Sequence, residues 1–349
     1  MELLRNTLAK ITGLNKEAMS KSRIRIDHLI KPIGSLGQLE NLAVQVSGIT
    51  GELFPDLSNK AIIVMAADNG VCEEGVAAAP QVVTKIQTIN IANGVSGLGP
   101  LARMSGAELV VVDIGIMSEV NHHNVINRKV RHGTYNIAKG PAMAYDEAIK
   151  AIETGIEITE NEIKKGRRLI GTGEMGIGNT TSSTALLSVL TGIDPIKITG
   201  VGANLPLDKL AMKVRVIRQA ISINRPDSND PIDALAKVGG FDLAGMTGII
   251  LACAANKVPC VIDGYISTIS AILACQLSPL CKDYIISSHL SLEKGAKVAI
   301  DFLGLKPILY LDMRLGEGSG AALAFQIVES AVLINRDMLT FEESGIDMV

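Results

Sequence analysis

Two glutamates in this 349-residue chain stand between glycines. Glu317 lies in Arg314-Leu-Gly-Glu-Gly-Ser-Gly320, and Glu174 in Gly171-Thr-Gly-Glu-Met-Gly-Ile-Gly-Asn-Thr-Thr181. A carboxylate held by Gly316 and Gly318, just past a predicted strand and ahead of an apolar helix, has no reason to be a core residue. Glycine at such a corner allows a tight turn and the close approach of a ligand to backbone N–H groups. Two carboxylates of this kind can work as a general base and as an electrostatic stabiliser of a developing positive centre. The plainer role for each is a helix-start carboxylate meeting the macrodipole.

Other residue types offer less. Lys213, on a predicted helix, can reach a phosphate, although a lone helical lysine is ordinarily a solvated surface group. His28, His122, His123, His132 and His289 show no HxxxH or HxH spacing, so no metal centre is expected. The adjacent His122 and His123 would point apart in a helix or strand. Cys72, Cys253, Cys260, Cys275 and Cys281 are odd in number and lack CxxC spacing, which reads as reduced, buried thiols of a cytosolic protein. Gly171-Thr-Gly173-Glu-Met-Gly176 fits the dinucleotide fingerprint GxGxxG. Its context does not: the acidic residue about 20 positions on, Asp194, precedes its predicted strand and abuts Pro195. A nicotinamide-dependent oxidoreductase is therefore the lesser reading.

The elements that must position these groups alternate. Short runs, apolar on both faces, predict buried parallel strands at 61–67, 109–114, 168–171, 196–200, 259–262, 284–287 and 307–311. Helical periodicity predicts helices at 146–165, 207–221, 267–277, 292–302 and 320–334, the first capped by Asp146 and stopped at Gly166. The pattern is a doubly wound α/β fold with a parallel sheet, in which ligands bind beyond the carboxyl ends of the strands. The first 50 residues have helical patterns without strands. With residues 335–349 they are expected to form a small helical subdomain, leaving 51–334 as the catalytic α/β domain.

Bulk composition narrows the class. Hydrophobic residues make up 47% of the chain, aromatics 3%, and tryptophan is absent. An aliphatic core of this kind suits parallel sheets under helices. With 33 basic and 36 acidic residues mixed along the chain, there is no basic stripe for nucleic acid. No apolar run reaches membrane-spanning length, and the start is unlike a secretory signal, so a cytoplasmic protein is expected.

Taken together, the motifs resemble those of the nicotinate-nucleotide–dimethylbenzimidazole phosphoribosyltransferases of cobalamin nucleotide-loop assembly. The resemblance spans the chain. It includes Lys31-Pro-Ile-Gly-Ser-Leu-Gly-Gln-Leu-Glu40, Ala67-Asp-Asn-Gly-Val71, Gly173-Glu-Met-Gly-Ile-Gly-Asn-Thr-Thr181, Gly202-Ala-Asn-Leu-Pro206 with Lys213, Asp263-Gly264, Ser288-His289 with Ser291, and the Arg314–Gly320 loop. It implies a Rossmann-like fold, a homodimer, Glu317 as general base and Glu174 near the ribose. Phosphate and ribose contacts would fall on Gly176, Gly178, Asn179, Thr180, Lys213, Asp263, Gly264, Ser291 and Gly316. The base pocket would draw on Ala79, Pro80, Gln87, Met175 and Leu315. Many relatives carry a hydroxyl residue where this chain has Ala79, which leaves the base open: 5,6-dimethylbenzimidazole, a purine, or a phenolic base handled with a paralogous partner subunit.

The implied chemistry suits the residues. Nicotinate leaves nicotinate mononucleotide as a neutral ring and needs no general acid. The attacking imidazole-type base becomes acidic on alkylation, and a carboxylate removes its proton. The transition state resembles an oxocarbenium ion, so a second carboxylate can stabilise it, and direct displacement inverts C1′. Neither metal nor redox cofactor is called for.

Overall fold

The computed structural model of the chain describes residues 1–345. Residues 346–349, the last of the C-terminal segment assigned above to a helical subdomain, lie outside the described residues. The six strands of one all-parallel sheet are β1 (Lys60–Ala67), β2 (Ala107–Gly115), β3 (Val125–Asn127), β4 (Leu169–Met175), β5 (Cys260–Ile262) and β6 (Ile285–Ser287). Their spatial order is β3-β2-β1-β4-β5-β6. The chain winds outward from β1 one way, then returns to add β4 on the other side, which makes this the doubly wound α/β fold expected.

Ahead of the sheet come α1 (Glu2–Lys10), α2 (Lys16–Asp27) and α3 (Gln38–Thr50). Between β1 and β2 lie α4 (Val83–Ala92) and α5 (Leu98–Ser105), and between β3 and β4 lies α6 (Tyr145–Lys164). The long β4–β5 crossing carries α7 (Asn179–Thr191), α8 (Pro195–Ile198), α9 (Leu210–Asn224), α10 (Pro231–Val238) and α11 (Phe241–Ala255). After β5 comes α12 (Tyr265–Leu277), and after β6 come α13 (Ala296–Leu303) and α14 (Ser319–Asp337).

The period-two geometry of β1 divides the interior. Ala61, Ile63 and Met65 face a core shared with α6, α11 and α12, while Ile62, Val64 and Ala66 face one shared with α3, α5 and α14. Helix α11 is buried along nearly its whole length. It packs backbone-close on α6, because a Cβ at Gly155 would meet the Gly245 carbonyl oxygen at 2.0 Å. Helices α2 and α3 meet the chain end: Arg25 Nε donates to the Asn335 carbonyl at 2.7 Å, and Phe341 N to the His28 carbonyl at 2.9 Å. Helix α1 instead puts Leu4 into the core of α6 and α11.

Two predicted strands are corrected. The 196–200 run lies largely in helix α8, because Asp194 caps it, accepting from Ile196 N at 2.9 Å, and Pro195 starts it; this Asp-Pro signal outweighs β-branched propensity. The 307–311 run makes an isolated bridge from Leu309 to His289 and then turns exposed at Tyr310 and Leu311. Pro307, lacking an N–H, cannot extend a ladder there. The edge strand β3 was not predicted, since three residues among His and Asn leave no periodic trace. Strand β4 runs to Met175, so Gly171 and Gly173 are strand residues and form no phosphate loop. They make room for other parts of the chain: a Cβ at Gly171 would meet Phe325 and Ala321, and one at Gly173 would meet the Glu317 carbonyl oxygen at 2.4 Å. Helix α6 is not capped by Asp146, which sits in its first turn. The Glu147 carboxylate instead accepts from Ala144 N at 2.8 Å. His122 and His123, in a loop, stack with ring centroids 4.7 Å apart.

Candidate active site

Connections part where β1 and β4 lie side by side, leaving a crevice at the carboxyl ends of the strands. A cavity of about 210 Å³ opens there. Glu317, Glu174, Gly176, Asn179, Thr180, Asp263, Gly264, Ser291, Gly316, Gln87, Met175 and Leu315 all border it.

Glu317 is held in a backbone shape that ordinary residues avoid. Its φ is +64°, between Gly316 at +82° and Gly318 at +101°. A non-glycine residue in this region costs about 1–2 kcal/mol. The turn tips the side chain inward, where it is only 4% exposed. Oε1 accepts from Gln87 Nε2 at 2.6 Å and Oε2 from Leu98 N at 3.0 Å. Both donors come from the β1–β2 connection, so the carboxylate ties two sides of the crevice. A carboxyl group buried among neutral donors, in a strained turn beside a cavity, has the character of a functional group.

Glu174 closes the end of β4 beside it. One oxygen accepts from Asn179 Nδ2, whose other hydrogen goes to Asp242 Oδ2 at 3.0 Å. Burial, and then the charge of Asp242, push the Glu174 carboxyl up to about 8. Burial likewise lifts Asp242 to about 6. At neutral pH Glu174 therefore keeps its proton, and it meets the crevice as a neutral hydrogen-bonding group.

Another part of the crevice is built for an anion. The N-terminus of α7 enters through Gly178 and Asn179, and that of α12 through Gly264, so two sets of helix-start N–H groups converge on the cavity. Ser291 lies against Gly264, where a Cβ would meet the Ser291 Cβ at 3.4 Å. Lys213 is 1% exposed, not a solvated surface lysine, and donates to Thr180 Oγ1 at 3.0 Å and the Gly200 carbonyl at 3.2 Å. Burial pulls its ammonium down to about 8. Lys213 does not border the cavity itself; it stands behind Thr180. Asp263 turns its carboxylate to Gly318 N at 3.1 Å and Gly320 N at 2.7 Å, and so caps α14 beneath the Glu317 turn.

Gly178 and Ala79 border a second cavity of about 40 Å³, which shares Gly176, Ile177, Asn179, Thr180 and Ala203 with the first. Pro80 borders neither. Sequence reasoning missed Asp242 and Glu293. An acidic residue at the head of the otherwise apolar Phe241–Ala255 stretch was a readable signal for Asp242; Glu293, among mixed polar residues, gave none. No group of three or more histidine, cysteine, aspartate or glutamate side chains is arranged to hold a metal ion among the described residues.

Comparison with known proteins matches this architecture. A family model described as phosphoribosyltransferase matches residues 11–346. The nicotinate-nucleotide–dimethylbenzimidazole phosphoribosyltransferase of Alkaliphilus metalliredigens is 52% identical over 347 residues, covering 99% of each chain. That of Ruminiclostridium cellulolyticum is 52% identical over 337 residues, covering 97% of this chain and 96% of the relative. The crystal structure of CobT from Thermus thermophilus superposes with a TM-score of 0.92 at 37% identity, covering 95% of this chain and all of that one. With the doubly wound sheet and the crevice between β1 and β4, these likenesses over nearly the full length show that the chain belongs to the nicotinate-nucleotide–dimethylbenzimidazole phosphoribosyltransferase family.

Proposed function

We propose that the chain transfers the 5-phosphoribosyl group of nicotinate mononucleotide to 5,6-dimethylbenzimidazole or a related lower-ligand base, with Glu317 as general base. The observation that carries this reading is the Glu317 carboxylate, buried at the cavity wall in a left-handed turn and held by Gln87 and Leu98 N. There it can receive the proton that the second nitrogen of the base releases on alkylation. The helix starts at Gly178 and Gly264, with Ser291 and the Lys213–Thr180 pair, supply donors suited to the 5′-phosphate. Nicotinate departs as a neutral ring, and attack from the opposite face inverts C1′. Glu174, protonated at neutral pH, serves the ribose better as a hydrogen-bonding group than as an anion. The small residues Ala77 and Ala79 beside the second cavity suit a flat base, and Ala79 offers it no hydroxyl. The reading asks for neither metal nor redox cofactor.

A homodimer working in the cytoplasm is part of the proposal. Val82, Ile86 and Val95 are exposed apolar residues in and around α4, and the five cysteines are free. Light scattering on the purified protein measures the first point.

The test is mass spectrometry of purified protein with nicotinate mononucleotide and a panel of bases. Nicotinate and an α-ribazole phosphate are expected from wild type. Glu317→Gln should cut kcat by ~10²–10⁴-fold with little change in donor binding. Near-normal turnover by that variant would remove Glu317 from the role.

A further inference from the structure

Asp242 presents a physical problem that the reaction as described does not use. Its carboxylate is fully buried and stands one amide away from a second buried carboxyl group, Glu174. The groups that satisfy the two are amides: Asn179 Nδ2 for both, Glu317 N for Glu174 and Leu243 N for Asp242. No cation among the described residues pairs with either. Burying a carboxylate so close to another acid opposes folding, and Asp242 does not line the cavity. Its effect must therefore pass through what it touches.

Asn179 is that contact. A side-chain amide can point either way, and its neighbours decide. Here both hydrogens are committed, one to Glu174 Oε2 and one to Asp242 Oδ2. The reversed amide would set its carbonyl oxygen against the Asp242 carboxylate. Asn179 is 5% exposed and borders the cavity. Its Oδ1 has no hydrogen bond among the described residues, and the residue borders both cavities, which leaves this oxygen free to accept from a ligand. Around the lock the chain leaves no slack: a Cβ at Gly176 would meet Asp242 Oδ2 at 2.8 Å, and one at Gly240 would meet Asp242 Oδ1 at 2.5 Å. Asn69 is buried beside it and is itself held by Ser182 Oγ at 2.9 Å.

We propose that Asp242 is a positioning residue that fixes the Asn179 amide with its acceptor oxygen facing the donor sugar, where it takes a hydrogen bond from a ribose hydroxyl. A fixed acceptor flanked by two acids selects a hydroxylated sugar, since a donor lacking that hydroxyl leaves the oxygen unpaired. This rests on the transferase reading above.

The experiment compares nicotinate mononucleotide with its 2′-deoxy and 3′-deoxy forms, by kcat/KM, in wild type and in Asp242→Asn. Wild type should prefer the full ribose over one deoxy donor by ~10–100-fold. In Asp242→Asn the neutral amide can donate or accept, the lock is released, and that preference should fall about tenfold. The intrinsic reactivity of a deoxy sugar cancels in the comparison of variant with wild type, and a merely structural role for Asp242 would lower both donors alike. Preferences that stay within about twofold of wild type overturn the inference. If Asp242→Asn does not fold, Asp242→Ser, which removes the carboxylate and keeps Asn179, carries the test with the same two outcomes. A wild-type protein that releases no nicotinate from nicotinate mononucleotide with any base overturns the transferase reading and this inference with it.

Discussion

Carboxyl groups dominate the site at the scale of single residues, and the protein accepts an electrostatic penalty to keep them there. Glu174, Asp242 and Asp263 are all pushed upward, with burial as the leading cause in each. For Glu174 the sign of the stability effect follows directly. Its ordinary value is 4.5 and its folded value about 8, so between these the folded chain holds a proton that the unfolded chain has released. That contribution is complete below about pH 4.5 and is lost as pH rises through about 8. Glu174→Gln removes the titration. Thermal melts between pH 5 and pH 9 should show wild type losing stability with rising pH more steeply than the variant, and equal slopes would contradict the burial argument. Glu317 adds the other kind of strain, a left-handed backbone at a non-glycine residue, and sites that need both are rarely at their stability optimum.

Elements matter here through where glycine lets them touch. Strand β4 approaches the Glu317 turn so closely that a Cβ at Gly173 would strike the Glu317 carbonyl oxygen, whereas two residues earlier a Cβ at Gly171 would press on the Phe325 and Ala321 side chains at 3.0 and 3.1 Å. The two substitutions should therefore separate. Both Gly171→Ala and Gly173→Ala overpack and should destabilise by ~1–3 kcal/mol. Gly173→Ala should also cost at least tenfold in kcat, because backbone must move and the carboxylate moves with it. Gly171→Ala can be absorbed by side chains of α14 and should keep kcat within a few-fold. Steady-state kinetics beside chemical denaturation of both variants checks this, and equal losses of kcat would deny that β4 sets the Glu317 turn.

Across the whole molecule, α14 is the bridge. Its 19 residues run from the Glu317 turn, where Asp263 caps them, to the chain end, where α2 receives them. At about 1.5 Å per residue the two ends lie ~28 Å apart. Arg25 holds the far end through the carbonyls of Asn335 and Met338, at 2.7 and 3.1 Å. Arg25→Ala should lower stability by ~1–3 kcal/mol and speed proteolysis of the chain end. Donor KM should stay within about twofold, because the near end is fixed independently by Asp263. A large rise in KM would mean that the chain end and the site are coupled along the helix.

How much of this was legible follows from the range over which each feature is encoded. Strand β1 and the span of helix α6 are written in local periodicity, and they read correctly; the glycines flanking Glu317 announced its tight turn. The motif series along the chain carried the family. Two strands failed where a local competitor, Asp194-Pro195 or the missing N–H of Pro307, outweighed a short apolar run. The GxGxxG match, set aside on its context, has a packing explanation: its first two glycines serve partners, Phe325 and Glu317, more than 140 residues away. The chemical state of the site was not readable at all. That Lys213 is buried against Thr180, that Asp263 faces a helix start, and that Asp242 shares an amide with Glu174 are contacts between residues 33, 55 and 63 positions apart. The sequence by itself determined the residue types, the strand–helix alternation and the backbone freedom at the turns, since these depend on near neighbours along the chain. Which carboxyl groups lose water and which share a proton donor was decided only by the tertiary structure, because desolvation and charge coupling depend on what the fold brings within a few ångströms.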